Sequence, residues 1–139
     1  MKFSYTFLIF SSIIYSQVGK GGTPISFKET LSPVVETVTL QPVDVQSLLE
    51  EDKLSGKDVP FRFGHGTEVS FDLISSGTWE YLSNGDRVWR LSVQSSGAYS
   101  INIIYDDFFM PTGGEFFVYS ENKTYVIGAF TEENNKDDG

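Results

Sequence analysis

The sequence contains no cysteine. Disulfides, a thiolate nucleophile and a Cys-ligated zinc site are therefore excluded. It holds a single histidine, His65, in 139 residues, too few for a multi-histidine metal centre. Positive charge is scarce: 10 Lys and Arg stand against 19 Asp and Glu, for a net charge of -9. Nucleic acid and anionic membrane both require a basic patch, so neither is an expected partner. No apolar run reaches the roughly 20 residues of a spanning helix, which leaves no membrane span to expect. No sequence repeat of fixed period is present, which argues against a solenoid or propeller.

Aromatic side chains, in contrast, are plentiful. With 12 Phe and 7 Tyr the chain has material for the core of one domain. At the N-terminus, Lys2 precedes an apolar run over residues 7–15, and Ser16 is a small residue followed by Gln17. This is the pattern of a secretory signal peptide over residues 1–16. It predicts a secreted, extracellular chain beginning near Gln17.

Residues 84–130 carry the clearest pattern: apolar-alternating runs separated by turn signals at Asn84-Gly85, Ser96-Gly97, residues 111–114 and residues 121–123. Such spacing is the signature of antiparallel strands. In residues 87–94 one face carries Trp89, Leu91 and Val93. In residues 98–105 it carries Tyr99, Ile101, Ile103 and Tyr105. A one-residue slip would turn these faces to water, so the register is specified. Residues 78–82 and 88–93 flank Ser83-Asn84-Gly85-Asp86, which reads as a type I′ hairpin because Asn-Gly tolerates positive φ at both central positions. Residues 68–74 alternate, with Val69, Phe71 and Leu73 inward, and residues 61–63 add a short strand. Residues 34–40 are β-prone but bounded by Pro33 and Pro42, which suits an edge strand. Residues 44–54 form the only helical candidate, capped by Asp44, stopped by Gly56 and docked through Leu48 and Leu49.

Together these elements predict an all-β chain: an antiparallel β-sandwich of jelly-roll type over residues 44–130, with one short helix. Residues 17–43 read as an extended leader with an edge strand. Residues 131–139 read as a mobile acidic tail. Residues 125–130 are apolar on both faces, so that strand expects neighbours and cover on both sides.

No reactive constellation accompanies this architecture. His65, between two glycines, could serve as a base or ligand, but no motif supplies a nucleophile or orienting carboxylate, and a turn residue is the simpler reading. Ser75-Ser76 and Ser95-Ser96 precede glycines without forming a Gly-x-Ser-x-Gly elbow. Asp106-Asp107, with Asp72 or Asp86, could attract calcium, yet no loop has EF-hand alternation. Glu50-Glu51-Asp52 reads as a solvated helix face. Asn122-Lys123-Thr124 matches the glycosylation sequon and equally a hairpin turn. Trp79, Trp89, Tyr81 and Tyr119 could stack on a sugar, although aromatics on alternating strands more often form core. No catalytic, metal or cofactor-binding residue is therefore assigned, and no cofactor is implied.

Several motifs carry a resemblance. Gly77-Thr78-Trp79, Asn84-Gly85-Asp86-Arg87-Val88-Trp89-Arg90-Leu91, Gly97-Ala98-Tyr99-Ser100, Met110-Pro111 through Gly114, Phe117-Val118-Tyr119 and Val126-Ile127-Gly128-Ala129-Phe130-Thr131 resemble, in order and spacing, the N-terminal module of secreted bacterial lysyl-endopeptidase-like, trypsin-type serine proteases. The leader Gly21-Gly22-Thr23-Pro24-Ile25-Ser26-Phe27 fits the same family. The resemblance implies a non-catalytic pro-region or accessory β domain, with the downstream protease domain of the same precursor as its partner. It also places the closing strands of the sandwich beyond Gly139, and it carries over no catalytic residue. The alternative is an extracellular carbohydrate- or protein-binding sandwich. A self-contained enzyme lacks the paired groups it would need.

Overall fold

A computed structural model of the chain describes residues 19–56 and 58–136. The expected signal peptide, residues 1–16, lies outside the described residues. The chain divides into two units: Ile25–Tyr105 is one, and the other joins the stretch ending at Pro24 to the stretch beginning at Asp106. The fold is β-rich: the described residues form two α-helices and six strands, the strands arranged as three two-stranded sheets.

The unit Ile25–Tyr105 opens with a single helical turn, α1 (Ile25–Lys28), where the leader reads as extended. Pro24 precedes it, and a fixed φ near -65° suits a helix start. Strand β1 (Thr37–Leu40) follows, inside the expected edge strand. Helix α2 (Val45–Leu54) forms where expected. The Asp44 carboxylate accepts from the Ser47 N–H at 3.1 Å, and the Ser55 N–H closes the last turn on the Glu51 and Asp52 carbonyls. The helix stops at Ser55, one residue before the expected stop at Gly56. Val45, Leu48 and Asp52 are its half-covered positions, while Leu49 is 45% exposed. Of the two leucines expected to dock, only Leu48 does.

Strands β2 (Thr78–Tyr81) and β3 (Arg87–Arg90) form the antiparallel hairpin that the Asn-Gly signal predicts, with Trp79 opposite Trp89 and Tyr81 opposite Arg87. Its turn is not type I′. Gly85 takes positive φ (93°) but Asn84 does not. The Gly85 N–H donates to the Leu82 carbonyl at 3.1 Å, and the Leu82 N–H to the Asp86 carbonyl at 2.8 Å. This is a three-residue loop, a turn followed by one left-handed residue, which also matches strand twist. The Asn84 side chain bonds the Asp86 N–H and carboxylate instead of driving its own backbone left-handed.

The predicted single strand over residues 87–94 is two strands, β3 and β4 (Ser92–Ser95), broken at Leu91. The first half pairs with β2 and the second with β1, so one extended run serves two sheets. The β1–β4 pair is parallel, Thr37 opposite Ser92 and Leu40 opposite Ser95, which corrects the expectation of purely antiparallel pairing. Side chains lash this layout together. Glu36 accepts the Gly77 N–H at 2.8 Å, and the Thr78 hydroxyl accepts the Glu36 N–H at 2.9 Å. Arg90 and Glu80 pair at 2.7 Å and hold both backbone groups of Ser32, each at 2.8 Å.

Residues 61–63, 68–74 and 98–105, expected as strands, belong to no sheet. Alternation fixes which side of a strand is apolar, but a strand exists only where another edge meets its N–H and C=O groups. Without such an edge the apolar sides are at best half covered: Phe61, Phe63 and Tyr99 are at least 90% exposed, and Val69, Leu73, Ile101 and Ile103 are 44–55% exposed.

In the other unit, β5 (Phe116–Tyr119) and β6 (Val126–Phe130) form an antiparallel hairpin with a bulge at Ala129, which is fully buried. The rings of Phe108, Phe116 and Phe130 pack with centroids 6.1–6.5 Å apart. The leader lies along β6, with the Lys20 N–H on the Ala129 carbonyl at 2.8 Å and the Gly21 N–H on the Gly128 carbonyl at 3.0 Å. The start of the expected mobile tail is built in. Thr131 is 6% exposed and caps a 3-10 turn (Glu132–Asn134). Asn135 bonds the Met110 N–H and carbonyl at 2.8 and 2.9 Å. Residues 137–139 are outside the described residues.

Candidate functional site

The β2–β3 hairpin gathers the strongest concentration of recognition-type side chains. Residues directly opposite on an antiparallel pair share a face. The register therefore puts Trp79, Tyr81, Arg87 and Trp89 on one side and Thr78, Glu80, Val88 and Arg90 on the other. The Arg87 guanidinium carbon lies 4.9 Å from the centroid of the Trp79 ring, a cation–π contact. Tyr81 is 77% exposed and Trp79 38% exposed.

Both indoles are fixed by the same neighbouring turn. The Trp79 Nε1–H donates to the Leu73 carbonyl and the Trp89 Nε1–H to the Ser76 carbonyl, each at 2.7 Å. Asp72 shapes that turn, its carboxylate accepting from the Ile74 and Ser75 N–H groups at 2.6 Å and from the Ser75 hydroxyl at 2.7 Å. Those bonds, Ser75's first among them, hold the Asp72 carboxyl below its ordinary range. With both indole N–H groups occupied internally, the face offers ring surface, the Tyr81 hydroxyl and the Arg87 guanidinium. It can stack on a planar or ring-shaped group and donate to an oxygen beside it.

The other candidates are scattered. His65 stands on an exposed stretch, with no carboxylate or hydroxyl bonded to it among the described residues. Ser75 serves the Asp72 turn and Ser76 the Trp89 indole, while the Ser95 carbonyl accepts the Ala98 N–H at 3.4 Å. Trp79, Tyr81 and Trp89 of the expected platform share one face of the hairpin, whereas Tyr119 lies on β5 of the other unit. Asp106 and Asp107 are exposed and likewise belong to the other unit, and Asp86 is engaged by Asn84. Among the described residues no group of three or more His, Cys, Asp or Glu side chains is placed to hold a metal. Glu51 and Asp52, read as a solvated face, bind Arg62 at 2.8 and 2.9 Å and tether the following loop to α2. The sequon Asn122 folds back, its Oδ1 accepting from the Thr124 N–H and hydroxyl and from the Ser120 hydroxyl.

Arg87 and the Arg90–Glu80 pair were not anticipated in these roles. Once the hairpin register is set, the signal is visible. Arg87 lies two residues from Trp89 on the same face, and Glu80 and Arg90 are opposite charges on diagonal positions of the other. No protein-family model matches the chain. No solved structure matches it either.

Proposed function

We propose that the chain is a non-catalytic binding module: the N-terminal part of a secreted serine endopeptidase precursor, acting on the protease domain as folding aid, inhibitory pro-region or accessory domain. The family resemblance of its motifs supplies the partner. The observation that carries the binding role is the exposure of the two strand-patterned runs at residues 61–63 and 68–74, in which Phe61 is 91%, Phe63 99% and Ile74 98% exposed. Large apolar side chains left this exposed within one stretch of chain offer an interaction surface where they gather into a patch. In this reading the jelly-roll sandwich is the completed form of the β-rich fold, reached when partner strands supply the missing edges by β-augmentation.

The test mixes residues 17–139 with a trypsin-type, lysine-specific protease domain and follows binding by calorimetry and recovery of peptidase activity on refolding. Saturable binding that is weakened by Phe61→Ser and Phe63→Ser is expected. Absence of binding together with unchanged recovery and unchanged activity overturns the reading.

A second reading, an extracellular carbohydrate-binding module, is favoured by the exposed Tyr81–Trp79–Arg87 face. Glycan titration monitored by tryptophan fluorescence tests it. A saturable signal lost on Tyr81→Ala supports it, and a flat response removes it.

A further inference from the structure

Residues 99–105 read Tyr-Ser-Ile-Asn-Ile-Ile-Tyr, a side-chain order nearly the same in both directions about Asn102. We propose that two copies of this chain pair antiparallel through this segment, on a two-fold axis passing at Asn102.

Three observations lead there. The first is the palindrome itself. An antiparallel ribbon centred on Asn102 sets Tyr99 opposite Tyr105 and Ile101 opposite Ile103 in both halves. All four lie on one face, because residues two apart share a face. Aromatic–aromatic and β-branched cross-strand pairs are the units that stabilise such ribbons. A self-complementary patch of this kind is what an isologous two-fold contact requires, and two-fold closure stops at two copies.

The second is charge. From Leu91 to Tyr105 the chain has no charged residue, although its net charge is -9. Two copies of an acidic chain repel over most of their surface. This segment can meet its own copy without placing like charges opposite each other.

The third is the state of the segment. It belongs to no sheet among the described residues. On one side of the alternation Ile101, Ile103 and Tyr105 are 44%, 47% and 45% exposed and Tyr99, at its start, 90%; Ile104, of the opposite parity, is 90% exposed. Burial drives the Tyr105 hydroxyl's pKa upward, in keeping with its half-covered position. Over residues 99–104 the side-chain pattern of a strand is therefore present, while among the described residues no strand pairs with it. A ribbon this short lies at the small end of specific interfaces, so its dissociation constant should be on the order of micromolar.

The absence of cysteine gives a register-specific test. Asn102→Cys puts the only thiol of each copy on the axis, facing its counterpart. Ser100→Cys puts the two thiols about 13 Å apart along the ribbon, beyond the reach of a disulfide at roughly 7 Å. Under mild oxidation of the secreted chain, N102C should form a disulfide-linked dimer and S100C should not. Asn102→Asp sets two carboxylates face to face at an exposed position and should weaken dimerisation by ~10-fold in low salt, read by sedimentation equilibrium. Equal cross-linking of S100C and N102C overturns the proposal. So does a monomer sedimentation profile of the unsubstituted chain at about 100 µM, well above the expected constant, or unchanged association of N102D. The experiment contains no protease domain, so its outcome is separate from that of the precursor reading.

Discussion

Trp79 and Trp89 face each other across the β2–β3 hairpin and send their indole N–H groups into one turn, to the carbonyls of Leu73 and Ser76, each at 2.7 Å. The two side chains thus join a hairpin to a loop that has no sheet of its own. Residues 72–77 are held by two indole donors from one side and by the Asp72 carboxylate from within. The aromatic pair is structural at its N–H ends and available only at its ring surfaces, which confines a ligand's contacts with the two indoles to stacking.

Removal of Trp89 should separate these roles. The ring is half-buried, so Trp89→Ala should cost about 2–3 kcal/mol, below the range of roughly 3–5 for a fully buried aromatic. Trp89→Phe keeps most of the ring and loses only the bond to the Ser76 carbonyl, at about 1 kcal/mol. Urea denaturation compares them. Equal losses in the two variants would mean that the hydrogen bond, not packing, dominates.

Gly77 admits a sharper test. It sits at φ 81°, and a Cβ there would run into the Trp89 indole. Gly77→Ala combines a left-handed backbone with displacement of the ring and should cost about 2–4 kcal/mol. Its tryptophan emission should shift to the red as the indole moves into water. A wild-type spectrum and midpoint would show that the turn is free to move away.

The hairpin was legible in the sequence because Asn-Gly between alternating runs specifies both a reversal and a register, and α2 because Asp44 announces its start. Even there the turn type escaped, since Asn84 has a cheaper use for its side chain in bonding Asp86. The strands at 68–74 and 98–105 were misread for a different reason. Alternation is a property of one segment, whereas a strand is a relation between two. The division at Leu91 is likewise invisible locally, because β3 and β4 differ in which neighbour they meet, not in pattern. Thr131 did carry a signal, a Thr three residues before Asn134, but it sat in a polar run that reads as tail. Of the sugar-stacking face, Trp79, Tyr81 and Trp89 could be grouped once the hairpin was set, whereas Tyr119 was grouped by residue type alone.

The Asp72 turn should respond to acid. Its carboxyl is held below the ordinary range by bonds from Ser75 and Ile74. A carboxylate whose folded pKa is depressed stabilises the fold above its unfolded pKa, about 3.9 for Asp, and that contribution fades as pH falls through the lower folded value. The protection factors of the Ile74 and Ser75 amides, taken relative to their intrinsic exchange rates at each pH, should fall in that acid window. Asp72→Asn keeps an acceptor oxygen without the titration, so its protection factors should be flat across the same window. A turn in the parent protein that loosens only near neutral pH would contradict the assignment.

The Arg90–Glu80 pair should behave as a clamp on Ser32. The two side chains are 14% and 24% exposed, pair at 2.7 Å, and divide the backbone of Ser32 between them, Arg90 donating to its carbonyl and Glu80 accepting from its N–H. The Arg90 Nε, also buried, has no bonded partner among the described residues, so the guanidinium is held through its Nη2 contacts. Removing one member leaves a largely covered charge without its counter-ion. Glu80→Leu or Arg90→Met alone should therefore cost about 2–4 kcal/mol, somewhat below the penalty for breaking a fully buried pair. The double variant Glu80→Leu/Arg90→Met strands no charge and should recover most of that loss, giving a coupling energy of about 1–3 kcal/mol in a double-mutant cycle. Because the clamp reaches β1 through residues 32–36, the single variants should also raise amide exchange at Glu36 and along the β1–β4 pair, beyond the hairpin that carries the substitutions. Additive single and double losses, with exchange changes confined to β2–β3, would show that the pair serves the hairpin alone and that the parallel pairing of β1 with β4 stands without it.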